Sequence, residues 1–345
     1  MKVLVTGGAG YIGSHACKRL LTAGHDVVIL DNLSRGHKAA VDRLATMQGV
    51  DFSRITIHEG DVGDSAILAH IFSTTPIDAV MHFAALAYVR ESVDEPLRYY
   101  ANNTAAAVPL IEAVIEHNIT RFVFSSTCAT YGEPDPALIP IREDCPQQPI
   151  NPYGWSKLFI ERMILDARDA LQRAGRPLPG IAMLRYFNVA GCDRSGLIGE
   201  DHDPETHLIP IILEVARGKR DALTIFGSDH ATPDGTCVRD YIHVEDLVDA
   251  HAAVLESLKP GDIRAYNLGI GCGYSINDVI ESARRVTGHP IPTKDGPRHP
   301  GDPPTLYCDP SRIKDELGWS ASLTDLDDII ASAWQWFCAN PRGYE

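Results

Sequence analysis

Positive charge is scarce in this chain. Its 345 residues include 31 lysines and arginines against 46 aspartates and glutamates, so the formal net charge is −15 with neutral histidines. Such an acidic balance repels phosphate backbones and anionic membranes, and we expect neither nucleic acid nor a membrane as a partner. A few arginines and backbone amides can still bind an anionic small molecule locally.

Long hydrophobic runs are also missing. No stretch approaches the roughly 20 apolar residues that span a bilayer, and the apolar run in residues 1–7 is too short for the core of a signal peptide. We therefore expect a cytoplasmic protein. The composition, 44% hydrophobic and 22% charged, is typical of globular proteins, and the length favours one large domain or two medium ones.

Closely spaced cysteine pairs are absent. The chain has eight cysteines but no C-x-x-C sequence, so neither a zinc knuckle nor a disulfide framework is indicated. We interpret the cysteines as buried thiols and expect no metal site.

The first half of the chain alternates short β-branched runs with longer helical stretches, the pattern of a parallel sheet with helices on both faces. One helix is predicted over 11–23, before Gly24, and another from the N-cap Asn151 and Pro152 towards Leu171. Glycine and proline become frequent beyond about residue 190. The candidate strands are residues 2–6, 26–30, 55–59, 78–83, 121–125 and 181–186.

These patterns predict an α/β fold with two domains. A Rossmann-type doubly wound parallel sheet would occupy residues 1–190, with a return segment near 237–272. A smaller mixed α/β domain, rich in loops that carry binding residues, would occupy 191–345.

A glycine-rich turn, GGAGYIG at residues 7–13, follows the first candidate strand and opens the first helix. Glycines permit a tight turn there and let backbone N–H groups approach a pyrophosphate at the helix N-terminus. Asp31 ends the second strand 24 positions after Gly7, where a carboxylate accepts hydrogen bonds from a ribose and repels a 2′-phosphate. The two features favour NAD over NADP, with a purely structural turn as the alternative.

Tyr153 and Lys157 lie four residues apart on the helix that begins at Asn151, so both side chains lie on one helical face. A neighbouring cation favours the phenolate that a tyrosine needs to act as a base. Thr127 closes the fifth strand at the edge where doubly wound folds bind their ligands. The three residues predict hydride transfer at a secondary alcohol. A surface tyrosine beside an unrelated lysine is the alternative.

Together, the glycine turn, Thr127 and the Tyr153-x-x-x-Lys157 motif resemble the extended short-chain dehydrogenase/reductase superfamily and, within it, the UDP-glucose 4-epimerase family. The resemblance covers nearly the whole chain. Its matching stretches are residues 3–15 (VLVTGGAGYIGSH), 30–34, 91–93, 96–100, 184–188, 234–244 (DGTCVRDYIHV) and 266–269.

This resemblance implies an NAD-dependent isomerase that interconverts UDP-glucose and UDP-galactose. Tyr153 would take the proton of the 4-hydroxyl while hydride passes from C4 to tightly held NAD, and the 4-keto sugar would turn and receive the hydride on its other face. Lys157 would hold the nicotinamide ribose and lower the pKa of Tyr153, and Thr127 would align the hydroxyl. A homodimer through helices near 103–116 and 153–171 is also implied.

The resemblance further implies two sets of binding residues. The cofactor set is Gly7, Gly10, Tyr11, Ile12, Gly13, Asp31, Asn32, Leu33, Asp61, Val62, Phe83, Ala84, Ala85, Ala87, Asn102, Tyr153, Lys157 and Phe187. The UDP-sugar set is Thr127, Tyr153, Asn188, His207, Leu208, Thr224, Phe226, Arg239, Arg298, Asp302 and Leu306. Arg239 is the expected counter-ion of the diphosphate, and a surface arginine paired with Asp240 is the alternative.

The chain departs from the family pattern in places. Ala87 stands where a lysine near the nicotinamide is usual, and His299 stands where a second phosphate-binding arginine is common, so either Arg298 compensates or phosphate binding depends partly on pH. Leu306 has an intermediate size at the sugar end of the pocket. UDP-xylose/UDP-arabinose and UDP-N-acetylglucosamine 4-epimerases therefore stay open as alternatives.

Three rival functions are weaker. A nucleotide-sugar 4,6-dehydratase would carry Asp-Glu where this chain has Cys128 and Ala129. A non-catalytic NAD-sensing module would have lost the tyrosine or the lysine. An ordinary alcohol dehydrogenase would release NAD during turnover.

Overall fold

A computed structural model describes residues 1–298 and 303–345 of the chain. Its strands are β1 Lys2–Thr6, β2 Asp26–Asp31, β3 Ile55–Glu59, β4 Ala79–His82, β5 Arg121–Thr127, β6 Gly180–Tyr186, β7 Asn188–Ala190, β8 Leu223–Phe226, β9 Val238–Arg239, β10 Tyr241–His243, β11 Ile263–Leu268, β12 Tyr274–Ser275, β13 Thr293–Gly296 and β14 Thr305–Leu306.

The helices vary from one turn to six. They are α1 Tyr11–Thr22, α2 Lys38–Leu44, α3 Ser65–Thr74, α4 Val89–Asp94, α5 Pro96–Tyr99, α6 Ala106–Glu116, α7 Pro152–Arg173, α8 Leu208–Ala216, α9 Val244–Ser257, α10 Ile276–Thr287, α11 Ser311–Leu317 and α12 Leu326–Ala339. Short 3₁₀ turns cover Phe52–Arg54, Cys128–Tyr131 and Pro136–Leu138, and a π-helical turn covers Tyr100–Ala105. None of the helices in the described ranges is both long enough and apolar enough to cross a membrane.

The described residues form two compact units. The first comprises residues 1–132, 146–185 and 248–266, and the second comprises 133–145, 186–247 and 267–345. Both units are therefore assembled from separate stretches of the chain. The segment 133–145, which the sequence analysis left in the first domain, groups with the second unit.

The first unit is built on a seven-stranded sheet with the order β11-β6-β5-β4-β1-β2-β3. The pairs β1–β2, β1–β4, β2–β3 and β4–β5 are parallel. The order reverses between β1 and β4, and doubly wound folds bind ligands beyond the carboxyl ends of the strands at such a point. The predicted Rossmann-type architecture is confirmed.

Both faces of this sheet are buried. Leu4, Val28 and Val80 pack with helices α3, α6 and α7 in one core cluster, while the alternate residues Val3 and Ile29 are just as buried on the opposite face. A parallel sheet with two covered faces explains why these strands are almost continuously apolar.

Local signals account for the helix ends of this unit. The carboxamide oxygen of Asn151 accepts the N–H of Gly154 at 2.8 Å, and Pro152 is the first residue of α7. Gly24 follows α1 with a φ of +87°, the left-handed conformation that ends helices. The predicted end of α1 before Gly24 and the predicted beginning of α7 are thus confirmed.

The second unit has its own core, in which α8, α10 and α12 pack together through Ile212, Leu213, Val279, Ile329 and Trp336. Its strands form three small sheets, β10-β7, β12-β9-β14 and β13-β8. The pairs β14–β9 and β13–β8 are parallel, and β12–β9 is antiparallel. This unit is a mixed α/β structure, as predicted.

Candidate active site

The glycine turn after β1 is shaped by close backbone contacts. Gly7 has a φ of +73°, and a Cβ on it would lie 2.6 Å from the backbone nitrogen of Ala84 at the end of β4. A Cβ on Gly13 would lie 2.0 Å from the carbonyl oxygen of Gly7. Both positions therefore require glycine. The N-cap Gly10 has no side-chain cap hydrogen bond, and the first turn of α1, which contains Tyr11 and Ile12, carries no acidic side chain. The positive end of this helix therefore suits a pyrophosphate.

Asp31 lies beside this turn at the end of β2. Its carboxylate accepts the N–H groups of Ala9 and Leu33, each at 2.9 Å. Desolvation raises the pKa of Asp31, although these two hydrogen bonds oppose the shift. Each carboxylate oxygen keeps a further lone pair, so Asp31 can also accept hydrogen bonds from ribose hydroxyls. The backbone contacts hold the carboxylate in place for that role.

Asn32 and Asp61 continue the same edge of the sheet. The amide of Asn32 donates to Asp61 Oδ2 at 2.8 Å, and Asp61 Oδ1 accepts the N–H of Gly63 at 2.7 Å. Val62, which lies between Asp61 and Gly63 in the chain, is buried. Hydrogen bonding therefore fixes these predicted cofactor residues relative to one another.

The loop after β4 is held against β1 and the π-helical turn Tyr100–Ala105. The N–H groups of Phe83 and Ala84 both donate to the carbonyl oxygen of Thr6, at 3.0 and 3.1 Å. Farther along the loop, Asn103 accepts the N–H of Leu86 at 2.8 Å and donates to its carbonyl oxygen at 2.9 Å. Ala85 and Asn102 are half-buried, and Ala87 is exposed. The side-chain amide of Asn102 donates to Asn103 Oδ1.

Thr127 ends β5 and is buried. Its hydroxyl oxygen accepts the N–H of Ala129 at 3.1 Å, which leaves the hydroxyl hydrogen for another acceptor. A Cβ on Gly154 would lie 2.5 Å from the carbonyl oxygen of Ala129. The first turn of α7 thus packs directly on the segment that follows Thr127. Tyr153, in that turn, is buried with its ring edge-on to Tyr99 at 6.4 Å.

Lys157 lies one turn farther along α7 and is only 2% exposed. Its ammonium donates to the carbonyl oxygen of Ser125 at 2.9 Å and lies 5.0 Å from the centre of the Phe124 ring. Desolvation lowers its pKa to about 7. An ammonium has three hydrogens, and the described residues accept one of them, so the others fit ribose hydroxyls.

A buried ion pair beneath this face was missed in the sequence. Glu161 accepts a hydrogen bond from Arg185 at 2.7 Å, and both side chains are buried. Glu161 also accepts from Ser126 on β5, and Arg185 donates to the hydroxyl of Tyr131 at 3.0 Å. The pair ties α7 to β5 and β6. The sequence contains a signal for Glu161, because Tyr153, Lys157 and Glu161 follow one another at intervals of four residues and therefore lie on one face of α7.

The second unit contains Phe187 and most of the predicted UDP-sugar residues. Phe187 is buried and donates its N–H to Leu268 at 3.2 Å, whereas Asn188 begins β7 and is exposed. Thr224 and Phe226 lie on β8 and are half-buried. Asp302 and the variant position His299 lie outside the described residues.

Arg239 and Leu306 are partners in the register of β9 and β14. Arg239 is 9% exposed, which excludes a surface arginine, and it donates to the carbonyl oxygens of Val238 and Pro303 at 2.8 and 2.6 Å. The carboxylate of Asp240 instead accepts the N–H groups of Ile270 and Gly271 at 2.8 and 3.0 Å. Leu306 is buried beside this backbone.

Arg298 is exposed and already engaged. It forms an ion pair with Asp229, with Nε 2.6 Å from Oδ1, and it also donates to the carbonyl oxygen of Asp229. This pairing keeps the pKa of Asp229 below its usual value. A phosphate would have to compete with Asp229 for the guanidinium of Arg298.

His207 caps α8 in an irregular loop, immediately before Leu208. Its Nδ1 lies 2.9 Å from Glu205 Oε1 and 3.2 Å from Glu200 Oε1. His202 joins the same two glutamates. Desolvation opposes protonation of His202, but its hydrogen bonds with both glutamates raise its pKa to about 10. No motif in the sequence indicates that these four residues lie together.

Comparisons with known proteins show the family to which the chain belongs. A sequence model of the NAD dependent epimerase/dehydratase family matches residues 3–269. The chain is 46% identical over 345 residues to the UDP-glucose 4-epimerase of Halalkalibacterium halodurans, covering 100% of this chain and 98% of the other. It is 46% identical over 348 residues to the probable UDP-arabinose 4-epimerase 3 of Arabidopsis thaliana, covering 99% and 82%.

A solved structure is similar throughout. The crystal structure of the UDP-glucose 4-epimerase from Bifidobacterium longum in complex with NAD⁺ and UDP has a TM-score of 0.92 and 41% sequence identity, and the match covers 99% of this chain and 100% of the other.

Proposed function

Because the chain belongs to the NAD dependent epimerase/dehydratase family, we propose that it is an NAD-dependent isomerase that interconverts UDP-glucose and UDP-galactose at C4. The observation that carries this proposal is the buried face of α7. Tyr153 and Lys157 lie one helical turn apart on this face, and the beginning of α7 packs on the segment after Thr127. The full-length similarity to UDP-glucose 4-epimerases supports the same reaction.

The first unit fits the cofactor. Gly7, Gly13 and the uncapped first turn of α1 would hold the pyrophosphate, and Asp31 would accept the hydroxyls of a ribose. Lys157 would donate to the nicotinamide ribose. NAD, when bound, supplies the acceptor for a hydride and, once reduced, returns that hydride to the sugar.

The chain's own residues move the proton and orient the sugar. Tyr153 takes the proton of the 4-hydroxyl as the general base and returns it after the sugar has turned. The ammonium of Lys157 favours the phenolate of Tyr153 by its charge. Thr127, whose oxygen is already occupied by the N–H of Ala129, donates its hydroxyl hydrogen to the reacting oxygen and aligns it.

The second unit would hold the nucleotide diphosphate. Arg239 is buried and donates to carbonyl oxygens, and its charge suits a diphosphate that has left water. Leu306, its register partner on β14, would border the sugar. Arg298 is the weaker candidate for a phosphate because Asp229 competes for it.

A UDP-pentose is the second candidate substrate. The 46% identity to a probable UDP-arabinose 4-epimerase favours it, and inversion at C4 requires the same three catalytic side chains for a pentose. The two substrates differ at C5, so the sugar end of the pocket decides between them.

A direct assay tests the reaction and its substrate. Purified protein is incubated without added NAD with UDP-galactose, UDP-N-acetylgalactosamine or UDP-xylose, and the products are resolved by NMR. We expect conversion of UDP-galactose to UDP-glucose by retained cofactor. A preference for UDP-xylose would replace the hexose by the pentose, and no conversion of any substrate with NAD added would refute the epimerase proposal.

We also propose that the protein is a homodimer through α6 and α7. Trp155 and Phe159 are exposed on α7, with ring centres 5.5 Å apart, and Tyr100 lies 5.9 Å from Phe159. Val108 is exposed on α6, whereas Val114 belongs to the core of the unit. An exposed aromatic patch of this kind is typical of an interface.

A further inference from the structure

Two glutamates and two histidines converge in the loop before α8. Glu200, His202, Glu205 and His207 each offer one ligand atom, and these four atoms lie within 4.8 Å of one another. Nδ1 of His202 is 3.3 Å from Glu200 and 3.5 Å from Glu205. Nδ1 of His207 is 3.2 Å from Glu200 and 2.9 Å from Glu205. Each imidazole therefore faces both carboxylates.

Three of these separations match the edges of a metal coordination tetrahedron. A zinc ion with nitrogen and oxygen ligands at about 2.1 Å holds neighbouring ligand atoms about 3.4 Å apart. Nδ1 of His202 and Nδ1 of His207 lie 3.3 and 3.2 Å from Glu200 Oε1, and Nδ1 of His202 lies 3.5 Å from Glu205 Oε2. The 2.9 Å contact of His207 is with the other oxygen of Glu205, Oε1, so Oε2 is the oxygen that would coordinate the ion.

The charge of the cluster also favours a cation. The side chains of Glu200 and Glu205 are 4% and 6% exposed, and within the described ranges neither pairs with a lysine or arginine. Two carboxylates that have left water require compensating positive charge. A divalent ion between the four ligand atoms compensates both carboxylates, whereas one imidazolium compensates only one of them.

The ligands are held in place by the surrounding backbone. Oε1 of Glu205 accepts the N–H groups of Thr206 and His207, each at 2.7 Å. The carbonyl oxygen of Glu200 accepts the indole N–H of Trp336 at 3.2 Å. Such supporting hydrogen bonds orient metal ligands. The mixture of imidazole and carboxylate suits zinc, whereas calcium and magnesium prefer oxygen ligands alone.

We propose that Glu200, His202, Glu205 and His207 bind one zinc-type divalent cation. The spacing Glu-x-His-x-x-Glu-x-His contains no cysteine, so the absence of cysteine pairs does not exclude this site. The site stands independently of the proposed function. If that function holds, the ion fixes the loop before Leu208, which belongs to the predicted UDP-sugar set.

Metal analysis tests the site. The purified full-length protein is treated with EDTA, gel-filtered and titrated with Zn²⁺ by calorimetry, and bound zinc is counted by mass spectrometry. His202→Gln and Glu205→Gln are compared with His289→Gln, a matched change at an exposed histidine. We expect one zinc per chain in the wild type and in His289→Gln. Loss of a ligand should weaken binding by at least about 100-fold, because even supporting partners are worth 10- to 100-fold.

Two further readouts guard against misfolding and adventitious binding. The melting temperature should rise with zinc in the wild type and in His289→Gln but not in His202→Gln. A cobalt-substituted sample should show the visible bands of a tetrahedral ion without a thiolate band. Equal zinc affinity in His202→Gln and His289→Gln would overturn the proposal, as would zinc that binds only through the exposed thiols of Cys272 and Cys338.

Discussion

The ammonium of Lys157 donates a 2.9 Å hydrogen bond to the carbonyl oxygen of Ser125, two residues before Thr127 on β5. This contact joins α7 to the strand that carries Thr127, the third of the proposed catalytic residues. It also orients the ammonium, so that a side chain with a flexible stem has a defined position in a buried site. The lysine is thus a structural link and a charged group at once.

Removing the phenol should abolish turnover without abolishing binding. Tyr153→Phe deletes the proposed base and little else, so we expect kcat to fall by at least about 100-fold while UDP affinity stays unchanged. The measurement combines an epimerisation assay with calorimetric titration of UDP. Tyr100→Phe, a matched change outside the proposed catalytic residues, should keep normal turnover. Wild-type turnover in Tyr153→Phe would exclude the tyrosine mechanism.

The buried ammonium should make stability depend on pH. Burial lowers the pKa of Lys157 to about 7 from 10.5. Below pH 7 the lysine is charged in the folded and in the unfolded state. The folded protein then bears the full free-energy cost of burying the charged ammonium. Between pH 7 and 10.5 the unfolded chain binds more protons, so the free energy of unfolding rises with pH, by at most about 1.4 kcal/mol per unit.

Lys157→Met should remove this rise. Urea denaturation after removal of bound nucleotide, at several values between pH 7 and 9.5, measures the difference between wild type and variant. That difference should grow with pH in favour of the wild type. Lys38→Met, at an exposed lysine, should leave the wild-type curve unchanged, and parallel curves for wild type and Lys157→Met would contradict the assignment.

Two glycine substitutions separate cofactor binding from backbone strain. Gly7 and Gly24 both have positive φ, but a Cβ on Gly7 meets Ala84 at 2.6 Å whereas a Cβ on Gly24 meets nothing within 4 Å. Both alanine variants should lose about 1 kcal/mol of stability from the left-handed conformation, and Gly7→Ala should lose more because its Cβ meets backbone atoms of Ala84. Only Gly7→Ala should lose most of the NAD retained on purification, as measured by absorbance of the released nucleotide. Equal retention in both would show that the turn does not bind the cofactor.

Leu306 should influence the choice of sugar. Leu306→Ser shortens a buried side chain, so we expect relative activity on UDP-N-acetylgalactosamine over UDP-galactose to increase. Leu306→Met, which conserves volume, should preserve the ratio. Competition assays with both substrates measure it. A ratio that is the same in all three proteins would remove Leu306 from the sugar pocket.

Charge on the aromatic patch of α7 should separate the subunits. The double variant Trp155→Glu/Phe159→Glu should run as a monomer in size-exclusion chromatography with light scattering, because burial of two carboxylates in an apolar interface is costly. Phe52→Glu, at a phenylalanine that is exposed elsewhere in the first unit, should retain the wild-type mass. A wild-type protein that is itself a monomer would refute the dimer.

Local sequence determined much of the first unit. Three features depend only on neighbouring residues: the apolar runs of β1, β2 and β3, the Asn151-Pro152 helix start and the GGAGYIG turn. Such short-range preferences act in the same way whatever the rest of the fold is. The order of these elements along the chain restricts the sheet to a doubly wound topology. The sequence alone therefore locates the glycine turn, Thr127, Tyr153 and Lys157.

Tertiary structure alone decided the rest, because contacts between distant residues leave no periodic signal. The assignment of 133–145 to the second unit, the choice of Arg185 as the partner of Glu161 and the partners of Arg239 and Arg298 depend on which segments meet after folding. The convergence of Glu200, His202, Glu205 and His207 depends on an irregular loop whose course no repeat predicts. Sequence determined the local elements, and long-range packing determined the electrostatic environment of their side chains.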